Sequence, residues 1–67
     1  MKMFRLYHFD FASFHYFNED TAPDWLTSKN TVEGSTMDMR WFWEDHVLTL
    51  RVGEFIDTDF HRITRIE

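Results

Sequence analysis

Cysteine is absent from the 67-residue chain, glycine occurs twice and proline once. Without cysteine there is no disulfide framework and no thiolate zinc site. So little glycine and proline leaves no room for a flexible linker, and the chain shows no repeat and no low-complexity tract. It reads as a single domain over residues 1–67. Basic residues are also scarce: seven Lys and Arg stand against twelve Asp and Glu, for a net charge of −5 with His neutral. That balance disfavours a general phosphate-backbone binder and an anionic membrane surface. It suits a basic protein surface as partner. No apolar run approaches the ~20 residues needed to span a bilayer. The opening "MKMFRLYHFDF" is interrupted by Arg5, His8 and Asp10 and no small-residue cleavage site follows, so a secretory leader is not expected. The expected location is intracellular, in the cytoplasm.

Aromatic residues are what the chain has in excess. They make up 19% of it, with eight Phe and three Trp. A chain of this size is near the limit for one core, and such chains lean on disulfides, metal, a partner or unusual packing. Each large ring buries about 150–250 Å². The rings therefore supply either the core or an interface.

The expected fold is mainly β (α+β). It is an antiparallel meander of four or five strands with one short helix, as an open sheet or a small barrel. In "MFRLYHFDFASFHYF", residues 3–17, Tyr7, Phe9 and Phe11 alternate with His8 and Asp10, and Phe14 and Tyr16 resume the alternation after Ala12-Ser13. That is two strands, or one strand with a break near Ala12-Ser13, because aromatics favour strands over helices. "NEDTAPDWLTSKN" changes character. Thr21 or Asp20 can cap, Pro23 suits a first turn and Asp24 favours a helix N-terminus. A two-turn helix over residues 22–29 is expected, pinned to the sheet by Trp25 or Leu26.

The stretch "MDMRWFWEDHVLTLRV", from Met37 to Val52, reads as a hairpin with its turn at Glu44-Asp45. Trp41 then faces Leu48, Met39 faces Leu50 and Met37 faces Val52, on a core side. Asp38 faces Arg51, Arg40 faces Thr49 and Phe42 faces Val47 on the other side. Asn-Gly or Asp-Gly would be the stronger turn pair. In the tail, Gly53 marks a bulge candidate, Asp57-Thr58-Asp59 a turn, and residues 60–66 a last strand. The spacing by three of Phe60, Ile63 and Ile66 offers a short helix instead; the β-branched residues favour the strand.

Four histidines raise acid–base and metal chemistry. "HFD" sets His8 and Asp10 on one strand face, and "DTDFH" gathers Asp57, Asp59 and His61. No zinc-ligand spacing is present, and Asp-Thr-Asp is also what a turn wants. There is no nucleophile elbow and no P-loop, and Ser13 near His15 is not a triad. No catalytic residue, metal or cofactor is expected, and the protein reads as a non-enzyme.

"RWFW" and "RLYHFDF" interleave rings with bases, and Arg51, Arg62 and Arg65 cluster near the end. Single-stranded nucleic-acid binding through exposed rings and these arginines is the second reading. The first is a small protein-binding module, an inhibitor or adaptor. It docks an acidic, aromatic surface on a larger protein, in one version over a nucleic-acid site. Trp and Tyr are typical interface anchors and acids steer a basic partner. The expected docking residues are Tyr16, Phe17, Glu19, Asp20, Asp24, Trp25, Phe42, Glu44 and Asp45. The acids are expected mainly in loops and turns. By analogy of size and charge, a phage or mobile-element product fits this profile. A homodimer is a further outlet for the spare rings.

Overall fold

In a computed structural model, residues 1–27 and 39–67 are described. Four strands form one antiparallel sheet: β1 (Met3–His8), β2 (Ser13–Asn18), β3 (Phe55–Asp57) and β4 (His61–Arg65), in the order β2-β1-β4-β3. Two short-range hairpins are thus joined by pairing the first strand with the last. The sheet is open and the protein is mainly β, as the alternation implies.

The break after β1 falls where the small pair stands. His8 pairs with Ser13, and Ala12 takes a left-handed backbone with φ +49°. The β3–β4 turn is closed by Thr58, whose N–H donates to the His61 carbonyl at 2.8 Å while its hydroxyl accepts the His61 N–H at 3.0 Å. Ile63 lies in the last strand, which excludes the helical alternative for the tail. Gly53 does make a bulge. Its N–H donates to the Arg65 carbonyl at 2.8 Å, and the Arg65 N–H donates to the Glu54 carbonyl at 3.0 Å. Two residues therefore oppose one. Gly53, at φ +91°, is the third residue of the turn closed by Glu54 N–H on the Arg51 carbonyl. That position needs positive φ, which glycine adopts without strain.

One face of the sheet is covered. Phe4, Leu6, Phe17 and Ile63 point to it and pack with Ala22, Leu26, Trp43 and Val47. The cover includes α1 (Asp24–Thr27), entered through Pro23, whose carbonyl accepts the Leu26 and Thr27 N–H groups. Of the helix expected over residues 22–29, Ala22 and Pro23 precede α1 and residues 28 and 29 lie outside the described residues. Thr21 does not cap it. Its hydroxyl accepts the Asn18 N–H at 2.9 Å, and the Asn18 carboxamide accepts the N–H groups of Asp20 and Thr21. These bonds lock the turn between β2 and α1.

The second cover element corrects the expected hairpin. Residues 40–47 are helical: α2 (Arg40–Phe42) is followed by one π turn, Trp43–Val47, with the Leu48 N–H on the Trp43 carbonyl at 2.9 Å. The same letters carry a helical spacing. Met39, Trp43 and Val47 recur every four residues and face the core, while Trp41 turns outward at 58% exposure. Trp41 is therefore not a core residue, and Val52 is exposed as well. Glu44-Asp45 lacks hairpin turn chemistry, so nothing favoured reversing the chain there. Met37 and Asp38, and the pairings drawn to them, lie outside the described residues. Two cations tie down the end of the helical segment: Lys2 Nζ, just before β1, donates to the Leu48 carbonyl at 2.7 Å and Arg65 Nη1, from β4, to the Leu50 carbonyl at 2.8 Å.

Candidate functional site

The turn after β2 and the start of α1 flank an open cleft of about 360 Å³. His8, His15 and Tyr16 line it from the strands, Thr21, Pro23 and Trp25 from the turn and helix, with Leu6 and Phe17 beneath the helical cover. Tyr16 is 62% exposed and Trp25 43%. Glu19 and Asp20 stand in the turn locked by Asn18, and Asp24 immediately precedes Trp25; all three are exposed. Of the nine expected docking residues, Tyr16, Phe17 and Trp25 line the cleft, and Glu19, Asp20 and Asp24 are exposed in the chain between them.

Phe17 is nevertheless core, and Phe42, Glu44 and Asp45 fall elsewhere. Phe17 is buried, stacked on Phe4 at 5.5 Å between ring centroids and 6.2 Å from Trp43. Tyr16 and Phe17 are strand neighbours, so they point to opposite faces, and Phe17 is core, not an anchor. Phe42 is half-buried on α2 and packs against the core. Glu44 and Asp45 are exposed on the π turn. None of the three lines the cleft.

Three imidazoles meet where the helical cover ends. His8 and His61 are register partners on β1 and β4, with ring centroids 4.2 Å apart, and His15 on β2 lies 5.5 Å from His8. Trp25 stacks on His61 at 4.8 Å. Desolvation, and then the neighbouring His8, hold the His61 pKa below its ordinary 6.5. This cluster was not foreseen, because pairing of the two chain ends cannot be read from local pattern. The carboxylate partners imagined for these histidines are elsewhere. Asp10 lies in the turn beyond β1. Asp57 is held by Arg62, Nε to Oδ1 at 2.7 Å and Nη2 to Oδ2 at 3.0 Å, which lowers the Asp57 pKa and raises that of Arg62. Among the described residues no group of three or more His, Asp or Glu is placed to hold a metal ion.

The arginine cluster is also dispersed. Arg65 bonds the Leu50 and Glu67 carbonyls and Arg62 pairs with Asp57, while Arg51 is exposed in the turn before β3. No described helix is long and apolar enough to cross a membrane. No protein-family model, curated protein or solved structure matches the chain.

Proposed function

We propose that this chain is a small non-enzymatic binding module, an inhibitor or adaptor, that docks on a larger protein with a basic surface. The observation that supports the reading is exposed Trp25 on the cleft, with exposed Tyr16 on the edge strand and the exposed acids Glu19, Asp20 and Asp24 in the chain between them. A partner lysine or arginine docking on this edge would meet the Trp25 ring, with carboxylates nearby in the chain. Cation–π attraction and charge pairing then act on the same group. The acids speed encounter and the rings slow release. The turn is fixed by the Asn18–Thr21 bonds and Trp25 by its stack on His61, so little order is lost on docking.

Glu19→Lys with Asp20→Lys separates this reading from a passive acidic rim. Partner association should slow at least tenfold at low salt, with the melting temperature nearly unchanged. Trp25→Ala should speed dissociation. Surface plasmon resonance on the captured partner reads both. Unchanged rates in the charge-reversed protein overturn the acidic-docking reading.

A further inference from the structure

The face of the sheet opposite the core is built differently from the cleft. The register sets two rows across all four strands: Phe14, Tyr7, Arg62 and Asp57 in one, Tyr16, Arg5, Thr64 and Phe55 in the next. Neither row contains an aliphatic side chain, whereas the covered face carries Leu6, Ile63 and Ile56. Among the described residues no helix packs on these rows. Phe14 is 51% exposed and Phe55 52%. The rows are knitted diagonally: the Arg5 guanidinium lies 5.1 Å from the Phe14 ring and the Arg62 guanidinium 4.1 Å from the Phe55 ring, while within the first row Tyr7 and Phe14 are 4.8 Å apart.

We propose that this face is a stacking platform for single-stranded nucleic acid. The charge pattern decides the class of occupant. The chain carries −5 overall, yet these rows hold two guanidiniums and a single carboxylate, Asp57, already paired with Arg62 at the sheet edge. An apolar protein surface would leave the Arg5 guanidinium desolvated without an acceptor. A single strand supplies bases for the rings and phosphates for the arginines. A duplex keeps its bases stacked internally and offers the rings nothing. With Arg62 already neutralised by Asp57, the net engagement is one cation and the slope of log K against log salt is only about −0.7. Stacking therefore carries the affinity, with little preference for sequence. Together with the acidic edge, the platform would make the module a bridge between a protein and a strand. It shares Tyr16 with the docking edge but rests on Phe14, Phe55, Arg5 and Arg62, and does not depend on the docking proposal.

The test is fluorescence anisotropy of a labelled fifteen-nucleotide oligo-dT, its RNA counterpart and a duplex of the same length, with the full chain at low and moderate salt. Saturable binding to single strands and not to the duplex is expected. Phe14→Ala and Phe55→Ala should each weaken it about fivefold or more, and Arg5→Glu should weaken it and flatten the salt slope. The melting temperature of each variant is followed alongside. Glu19→Lys with Asp20→Lys should retain strand binding, which separates this face from the acidic edge. Absence of binding at low salt with excess protein overturns the proposal. So does equal duplex binding, unchanged affinity in the Phe variants, or capture of an acidic aromatic peptide by this face in place of the strand.

Discussion

Ala12 holds a left-handed backbone, φ +49°, at the end of the β1–β2 turn. For an L-residue with a Cβ that conformation costs about 1–2 kcal/mol, part of which glycine recovers after its greater loss of chain entropy. Ala12→Gly is expected to stabilise the protein by about 0.5–1 kcal/mol, read as a raised denaturation midpoint; a lowered midpoint would mean the turn is set by something else. His61 makes a second prediction at this scale. Its folded pKa lies below the ordinary 6.5, first from desolvation and then from His8. Between those two values the unfolded chain binds the proton and the folded one resists it. This contribution therefore leaves stability unchanged well above pH 6.5 and lowers it as pH falls through that value. The melting temperature should drop from about pH 7.5 to about pH 5.5, and His8→Gln should shallow the drop. Asp57, lowered from 3.8 by its Arg62 hydrogen bond, acts in a separate and more acidic window. A flat profile between neutrality and pH 5.5, or an unaltered slope in His8→Gln, would contradict the imidazole cluster.

The helical segment after Met39 is the element on which the packing turns. Trp43 is 8% exposed and its ring stands 5.9 Å from Phe4 and 6.2 Å from Phe17, so the three rings form the centre of the core. Trp43→Ala should cost about 3–5 kcal/mol, enough to unfold much of the population. Trp41→Ala should stay within about 1 kcal/mol, because that ring points away. Chemical denaturation distinguishes this from a hairpin, in which Trp41 would be the costly residue. The contrast also shows how far the elements could be read from the letters. Period-two alternation about Ala12-Ser13 marked the first hairpin, a turn-forming Asp57-Thr58-Asp59 followed by β-branched residues marked the second, and Pro23-Asp24 marked the start of α1. Residues 39–50 carry period two and a fourfold spacing at once, and only the rest of the core decides between them. The sheet already has both of its hairpins, so its covered face needs a helical cover and Trp43 supplies it. The docking residues divide on the same ground. Those in the local run from Tyr16 to Trp25 are exposed, apart from Phe17, while Phe42, Glu44 and Asp45 were placed by a turn that does not form. His8 and His61 meet through the pairing of chain ends, which leaves no local trace.

At the scale of the whole molecule, two faces divide the excess of rings. Phe4, Phe17 and Trp43 fill one core, and Phe14, Tyr16 and Phe55 remain outside on the far side of a four-stranded sheet. The acids described occupy turns, loops and helix starts, with Asp57 alone in a strand, so negative charge rims the molecule while the open sheet face is locally cationic. A partner is therefore selected by which edge it meets, and the acidic edge at Tyr16, Glu19, Asp20, Asp24 and Trp25 is the one suited to a basic protein. The most direct measurement is a quantitative capture from a lysate of the source organism and of its natural host. The intact protein is compared with a Glu19→Lys, Asp20→Lys, Trp25→Ala variant, each with and without nuclease. The account predicts one protein recovered near equal stoichiometry by the intact chain, unaffected by nuclease, and lost by the variant at an unchanged fold. Equal recovery by both forms, or recovery that disappears with nuclease, would contradict it.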